Sequence, residues 1–157
     1  CAHELTGRGY RPTVFEREDE IGGMLTVGIP RYRLPRAELQ RDLDALAARG
    51  VEFRTGVAFG TDVTLEDLRA EDFGAIFLAT GAHLGIPMGV PGEDMDGVVD
   101  AVEFLRNISL GVPQAVGRRV MVVGGGNCGI DAARSALRHG AEHVTVLYRR
   151  TRTEMPL

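Results

Sequence analysis

The hydrophobic and polar residues of the chain follow patterns that predict strands and helices in alternation. Leucines spaced by three and four residues between Pro35 and Gly50 predict a helix with one apolar face. The runs Ala75–Ala79 and Val120–Val123 lack polar alternation, which is typical of strands covered on both faces. Strands that alternate with helices predict an α/β fold with a parallel sheet.

Further elements follow from strand-forming and helix-capping residues. We predict the end of a helix at residues 2–7, strands at Thr13–Glu16, Val51–Arg54 and Val144–Leu147, helices that begin after Thr64 and after Asp100, and a helix that ends at about His139. The stretch from Val120 to Leu147 therefore forms one β–α–β unit. Prolines and glycines in residues 83–97 mark the candidate junction between domains.

Composition and charge narrow the class of protein. The chain is 44% hydrophobic and 25% charged, as is normal for a soluble globular protein. Its net charge of -4 offers no basic surface for nucleic acid or an anionic membrane, and no apolar run approaches the roughly 20 residues of a membrane span. We therefore expect neither partner.

Two widely separated cysteines, Cys1 and Cys128, do not suggest a disulfide framework, so the expected location is cytoplasmic.

The segment after Val120–Val123 is rich in glycine and fits the pattern G-x-G-x-x-G through Gly124, Gly126 and Gly129. In such a loop the first glycine permits a tight turn, and the second lets backbone N–H groups approach a diphosphate. The third lets the helix pack closely on the strand. The helix N-terminus adds partial positive charge. We interpret the loop as a dinucleotide site, and the alternative is an ordinary strand-to-helix turn that tolerates glycine.

Basic residues follow the last predicted strand. Arg149 comes 20 residues after Gly129, where a site selective for NAD usually carries an acidic residue on the ribose. A guanidinium group instead binds a phosphate through paired, charge-assisted hydrogen bonds. Arg149, Arg150 and Arg152 therefore favour NADP(H) over NAD(H). The alternative is a solvated basic strand end.

Glu16 ends the first predicted strand, where an acidic side chain accepts hydrogen bonds from the ribose of an adenine dinucleotide. The glycine loop of such a site would precede Glu16 by about 20 residues or more, ahead of Cys1. The alternative for Glu16 is an exposed surface acid.

Blocks of residues along the whole chain carry a family resemblance. They are Glu16 with Ile21–Leu25, Gly28–Pro30, Tyr32–Pro35, Ala79–Gly81, Val90–Asp94, Gly124–Asn127 with Asp131–Arg134, and Tyr148–Arg150 with Glu154–Pro156. Together they resemble the glutamate synthase small (beta) subunit family. That family also covers the FAD and NADPH domains of dihydropyrimidine dehydrogenase and the NADH-dependent ferredoxin:NADP reductases.

The resemblance implies FAD in the first half and NADPH in the second, with hydride passing from nicotinamide to flavin and electrons onward to an iron–sulfur partner or a larger catalytic subunit. The residues that it implies are Glu16 at the adenosine ribose, Gly23, Met24 and Leu25 beside the flavin, Thr80 and Gly81 at the crossover between domains, and Gly124, Gly126, Asn127, Cys128, Gly129, Arg149, Arg150 and Arg152 at NADPH. Because the cofactors carry the chemistry, we expect no catalytic acid–base residue. We also expect no metal, because Gly140 breaks the helix between His139 and His143 and no Cys or carboxylate partners accompany them.

The resemblance also implies two Rossmann-like dinucleotide-binding domains, each incomplete. They are a partial FAD-binding domain at 1–90 and a partial NADPH-binding domain at 91–157, in a chain truncated at both ends. For the isolated chain, a nucleotide-binding module without turnover is an alternative. A scaffold protein that has lost both ligands is a further alternative, which the intact glycine loop disfavours.

Other residues are weaker candidates. Cys128 lies near a helix N-terminus, where the pKa of a thiol can fall, although small residues at such positions usually pack. His83 lies either in a surface loop or beside a cofactor. Tyr32 and Arg33 either cover the flavin or pack as part of a loop.

Overall fold

A computed structural model describes residues 1–155, and Pro156, which ends the last resemblance block, lies outside the described residues. The chain divides into two compact units. The first comprises Cys1–Thr26 and Leu34–Gly81, and the second comprises Val27–Arg33 and the chain from Ala82 onward. The functional domains expected at 1–90 and 91–157 stay a prediction.

The first unit contains a parallel pair of short strands and several helices. Its elements are α1 (Ala2–Gly7), β1 (Thr13–Phe15), α2 (Met24–Val27, whose last residue belongs to the second unit), α3 (Arg36–Ala48), β2 (Glu52–Arg54) and α4 (Leu65–Ala70). The register pairs Val14 of β1 with Phe53 of β2. The predicted strands Thr13–Glu16 and Val51–Arg54 are each one residue longer than β1 and β2.

The helix ends of the first unit follow from local chemistry. Helix α3 begins directly after Pro35, whose fixed φ suits a helix start, and the chain turns away from it at Gly50, with φ of 91°. Helix α4 begins with a capping box. The Thr64 hydroxyl accepts from the Asp67 N–H at 3.2 Å, and the Asp67 carboxylate accepts from the Thr64 N–H at 2.9 Å.

The second unit contains the predicted β–α–β arrangement. Its elements are α5 (Ala101–Ser109), β3 (Arg119–Val123), α6 (Asn127–Arg138), β4 (His143–Leu147) and a short 3₁₀ helix (Arg152–Glu154). Strands β3 and β4 pair in parallel, from Arg119 opposite His143 to Val123 opposite Leu147. The α/β class with parallel strand pairing is thereby confirmed. Within residues 1–155, no helix is both long and apolar enough to cross a membrane.

The core of the second unit lies between α5 and α6. Phe104 of α5 is buried against Ala132 and Ala136 of α6 and against Ala141, which precedes β4. Small residues on α6 let an aromatic ring on the neighbouring helix fill the space between the two helices. The carboxylate of Asp100 caps α5, as the sequence predicts. This packing fixes the helix that follows the glycine loop.

The strand predicted at Ala75–Ala79 is not present. The segment has no strand partner within residues 1–155, and Phe77 and Leu78 are 72% and 58% exposed. Strand β3 is likewise more exposed than predicted, with Met121 65% exposed. An apolar run becomes a covered strand only where a neighbouring strand completes its hydrogen bonds and a further layer covers its faces. Neither condition is met for Ala75–Ala79 in the described part of the chain.

Candidate functional site

The glycine loop begins with a tight turn at the end of β3. Gly124 has φ of 117°, and its N–H donates to the carbonyl of Leu147, the last residue of β4, at 2.8 Å. Residues with a side chain rarely adopt such a φ. Gly124 therefore redirects the chain while it remains tied to the neighbouring strand.

Gly129 lies where α6 passes closest to the loop. A Cβ atom at this position would overlap the carbonyl oxygen of Gly124 and would lie 3.6 Å from Cγ1 of Val122 on β3. The absence of a side chain therefore allows the close approach of helix and strand. This is the packing expected of the third glycine in the motif.

The backbone between Gly124 and α6 presents N–H groups that have no acceptor in the part of the chain that the structure describes. Within residues 1–155, no atom accepts a hydrogen bond from the N–H groups of Gly125, Gly126 or Asn127, and no side chain caps α6. Apart from the adjoining residues, no atom of residues 1–155 lies within 4 Å of the position that a Cβ of Gly126 would take. The first turn of α6 contains no acidic residue. An open helix end with unpaired donors and partial positive charge is suited to an anion such as a diphosphate.

An aromatic contact at the loop is not evident from the sequence motif. A Cβ at Gly125 would lie 2.6 Å from Cγ of Tyr148, so the Tyr148 ring packs directly on this glycine. Tyr148 follows β4, and the parallel register brings that strand end beside the end of β3. The feature of the sequence that could have indicated this contact is a fourth glycine inside the motif, together with an aromatic residue at the end of the next strand.

The predicted phosphate-binding arginines follow the same strand end. Arg149, Arg150 and Arg152 are exposed, and none of their side chains makes an ion pair or hydrogen bond with any of residues 1–155. Because Val123 and Leu147 are paired, the chain leaves β4 at the edge of the sheet from which the glycine loop leaves β3. These cations are therefore available to a ligand. Their role in cofactor binding stays a prediction.

Cys128 does not have the lowered pKa that a helix N-terminus can produce. Burial raises the pKa of its thiol, and the nearby carboxylates of Asp100 and Asp131 raise it further. A raised pKa reduces the thiolate fraction at neutral pH. The structure thus disfavours a nucleophilic or redox role for this residue.

Tyr32 and Arg33 pack on α6. Arg33 Nη1 donates to Oδ2 of the buried Asp131 at 2.7 Å, and the Tyr32 hydroxyl lies 3.3 Å from the Asp131 carbonyl. The guanidinium groups of Arg138 and Arg134 lie 4.0 and 5.3 Å from the centre of the Tyr32 ring. These contacts show that both residues pack as part of a loop, and their covering of the flavin stays a prediction. All of these residues belong to the second unit.

In the first unit, two predicted FAD-side residues lie together. The Glu16 carboxylate accepts from the N–H of Glu18 at 3.1 Å, and a Cβ at Gly23 would lie 3.8 Å from its other oxygen. Gly22 and Gly23 both have positive φ, at 124° and 52°. The chain thus turns back past the end of β1 and leaves the Glu16 carboxylate beside the backbone of Gly23.

Met24 and Leu25 begin the short helix α2 directly after these glycines. The Leu25 side chain is exposed, whereas Thr26 is buried and donates its hydroxyl to the Ile21 carbonyl at 2.7 Å. The Arg36 guanidinium donates to the carbonyls of Leu25 and Thr26. Arg36 therefore satisfies the end of α2, a contact that the sequence did not predict.

The remaining candidates are less organised. Thr80 and Gly81 are exposed in an irregular segment, where Gly81 has φ of 75°. Nδ1 of His83 is buried and has no hydrogen-bond partner within residues 1–155. No group of three or more His, Cys, Asp or Glu side chains in that range is arranged to hold a metal ion.

Comparison with known proteins identifies relatives along the whole chain. The model of a family described as pyridine nucleotide-disulphide oxidoreductase matches residues 1–156. The NADP(+)-dependent formate dehydrogenase subunit beta of Moorella thermoacetica is 49% identical over 99% of the chain. The NADPH-Fe(3+) oxidoreductase subunit beta of Geobacter sulfurreducens is 48% identical, and the glutamate synthase [NADPH] small chain of Escherichia coli is 38% identical, each over 99% of the chain.

The chain spans only 22%, 24% and 35% of the lengths of these three relatives. Among solved structures, a 2-naphthoyl-CoA reductase complex is 27% identical with a TM-score of 0.73, over 93% of this chain and 21% of that one. The FprA protein of Mycobacterium tuberculosis, as its His57Gln mutant, is 23% identical with a TM-score of 0.75, over 91% of this chain and 37% of that one. The likeness to FprA supports the fold alone.

Proposed function

The chain belongs to the pyridine nucleotide-disulphide oxidoreductase family, and on that premise we propose that it is the part of an NADPH-dependent flavin oxidoreductase that holds NADPH and contributes to the FAD site. The observation that carries the proposal is the glycine loop, whose backbone N–H groups at the start of α6 have no acceptor among the described residues. When bound, NADPH supplies a hydride that FAD accepts. The residues of this chain bind and orient the two cofactors.

The loop fits a diphosphate for steric and electrostatic reasons. The open space at Gly126 admits a ligand to the backbone, and the N–H groups of Gly125 and Asn127 offer donors beside it. Gly124 and Gly129 keep the turn tight and the helix close to the strand. Cys128 lies in the same first turn and contributes its backbone N–H rather than its thiol.

The arginines after β4 supply selectivity in this proposal. Arg149, Arg150 and Arg152 would hold the additional phosphate that distinguishes NADPH from NADH, because a guanidinium group forms two parallel bonds to a phosphate. A carboxylate at this position would instead favour the free ribose hydroxyl of NADH. Their lack of partners within residues 1–155 supports this assignment.

The FAD side of the proposal concerns the first unit and the segment that ends it. Glu16 would accept hydrogen bonds from the adenosine ribose. The residues assigned to the flavin side and to the crossover segment are Gly23, Met24, Leu25, Thr80 and Gly81. The proximity of Glu16 to Gly23 supports a common site.

The onward step is also part of the proposal. Three of the relatives described above are named as a beta subunit or a small chain, which supports a larger catalytic subunit as the partner of the whole protein. We propose that the electrons pass to an iron–sulfur group of that partner, in a cytoplasmic enzyme.

Calorimetric titration of the chain with NADPH and with NADH tests the nucleotide site. We expect tighter binding of NADPH. Arg149→Ala or Arg150→Ala should each reduce NADPH affinity about tenfold, the factor that corresponds to about 1.4 kcal/mol of a charge-assisted contact, and should leave NADH affinity unchanged. Arg11→Ala removes the same charge from an exposed position and serves as the control. Equal affinity for the two nucleotides in the unmutated chain would contradict the assignment of the arginines.

A visible absorbance spectrum of the purified chain tests the FAD side. A bound yellow chromophore supports a flavoprotein. A colourless chain that still binds NADPH favours the second candidate, a nucleotide-binding module without turnover. The observation in favour of that candidate is that the glycine loop and the arginines after β4 all lie in the second unit.

A further inference from the structure

A buried carboxylate lies close to the proposed diphosphate site. Asp131 is four residues after Asn127, the first residue of α6, and its side chain is only 6% exposed. Its charge acts on the first turn of the helix, where Cys128 lies. Burial is the largest cause of the raised pKa of the Cys128 thiol, and the carboxylates of Asp100 and Asp131 raise that pKa further. A negative charge at this position repels a bound diphosphate more strongly than it would in water.

Arg33 supplies the opposite charge. Its Nη1 donates to Asp131 Oδ2 at 2.7 Å, and the Tyr32 hydroxyl lies 3.5 Å from Oδ1. The Arg33 side chain is 43% exposed, so solvent screens the pair in part. Without Arg33, the buried carboxylate would retain no cationic partner among residues 1–155.

We infer that Arg33 is a positioning residue of the NADPH site, which neutralises Asp131 so that a buried carboxylate and a diphosphate occupy the same end of α6. The inference rests on the proposed function, because it requires an anion at the glycine loop. Arg33 acts through Asp131 and need not contact the nucleotide.

If the role of Arg33 were purely structural, the variants would affect NADPH binding differently. The segment 27–33 has a second attachment to α6, since the Tyr32 ring lies 4.0 Å from the guanidinium carbon of Arg138. Replacing Arg33 therefore leaves this attachment in place. If Arg33 only held the segment, removing either partner of the ion pair would have the same effect on binding. If it compensates charge, removing Asp131 as well would restore binding.

The test is calorimetric NADPH titration of the full chain with Arg33→Met, Asp131→Asn and the double variant. Arg33→Met should weaken binding by between about fivefold and about a hundredfold, the usual range of coupling between two sites. Asp131→Asn alone should bind at least as tightly as the unmutated chain, and the double variant should recover its affinity. Arg41→Met breaks a similar ion pair, to Glu38 at 2.6 Å on the exposed face of α3, and should change nothing.

A second measurement does not require the nucleotide. In a Cys1→Ser background, the pH dependence of iodoacetamide alkylation reports the pKa of Cys128. Asp131→Asn should lower that pKa because one repelling carboxylate is removed, and Arg33→Met should raise it because the carboxylate is no longer neutralised. Loosened packing alone would not shift the pKa in opposite directions in the two variants.

The outcomes separate the two levels of the proposal. If the unmutated chain does not bind NADPH, the proposed function fails and the inference with it. If the unmutated chain binds but Arg33→Met and Asp131→Asn weaken binding equally, the inference alone is overturned. Should Arg33→Met fail to fold, Arg33→Lys takes its place, since it keeps the charge and should keep the affinity. If Arg33→Lys and Asp131→Asn both bind NADPH more weakly than the unmutated chain, the inference is overturned as well.

Discussion

The ring of Tyr148 packs directly on Gly125, so that a Cβ at position 125 would lie 2.6 Å from the ring carbon Cγ. Tyr148 follows β4 and Gly125 lies in the loop after β3. The contact therefore joins the ends of two paired strands at the edge where the proposed nucleotide site lies. The tyrosine ring thus supports the backbone of the glycine loop.

We expect Gly125→Ala to lower the melting temperature and to weaken NADPH binding, because the ring and the loop must separate to admit a methyl group. Gly126→Ala is the matched comparison, since no described residue other than its chain neighbours lies within 4 Å of a Cβ there. It should leave the melting temperature unchanged and weaken binding only by obstructing the ligand. Thermal unfolding and calorimetric titration measure the two effects separately. Unmutated affinity in Gly126→Ala would refute a close approach of the diphosphate to this residue.

Gly129→Ala should destabilise the second unit by about 1 to 3 kcal/mol, the usual cost of forcing an additional carbon into a packed site. The added Cβ would meet the Gly124 carbonyl, which is backbone and cannot rotate away as a side chain would. Urea unfolding measures the change. Gly117→Ala serves as the control, because its nearest neighbour would be 3.7 Å away. Equal stability of Gly129→Ala and the unmutated chain would show that α6 can shift without cost.

The sequence predicted those strands and helices that a pattern of neighbouring residues is enough to specify. The run Val120–Val123, the glycines after it and the apolar face of the next helix together gave β3, α6 and β4. The same reasoning failed for Ala75–Ala79, because an apolar run does not reveal whether a neighbouring strand is present to pair with it.

The missed contacts at the candidate site are long-range. Arg33 and Asp131 are 98 residues apart in sequence, and no periodicity relates them. Within the glycine loop, the motif identified the residues that must lack a side chain for the turn. It did not identify Gly125, whose constraint comes from an aromatic ring on another strand end. Contacts between charges and rings that the fold brings together from distant parts of the chain are therefore not predictable from a local sequence pattern.

The capping box of α4 predicts a pH dependence of stability. Hydrogen bonds from the Thr64 hydroxyl and the Thr64 backbone N–H lower the pKa of Asp67 below its ordinary value. Because the folded-state pKa is the lower one, the stabilisation is present above the unfolded-state pKa and is lost as the pH falls through the folded-state pKa. Chemical unfolding across the acid range should show the difference between the unmutated chain and Asp67→Asn shrinking as the pH falls. Glu66→Gln, on the same turn, is the control, and a difference independent of pH would contradict the prediction.

The turn at residues 88–93 provides a more local test of the same principle. The Glu93 carboxylate accepts from the N–H of Met88 at 2.6 Å and from the N–H of Gly89 at 2.7 Å, and these bonds lower the pKa of Glu93. The turn should therefore keep its hydrogen bonds above the ordinary pKa of a glutamate and lose them as the pH falls through the lowered value.

In NMR spectra, the amide signals of Met88 and Gly89 should titrate together, with a midpoint below the ordinary glutamate range. Glu93→Gln should abolish that titration, because an amide side chain has no proton to gain in this range. The amide of Gly97 lies outside these hydrogen bonds and serves as the internal reference. A midpoint at or above the ordinary value would mean that the two N–H groups do not bind the charged carboxylate. The block Val90–Asp94 would then owe its shape to its proline and glycine alone.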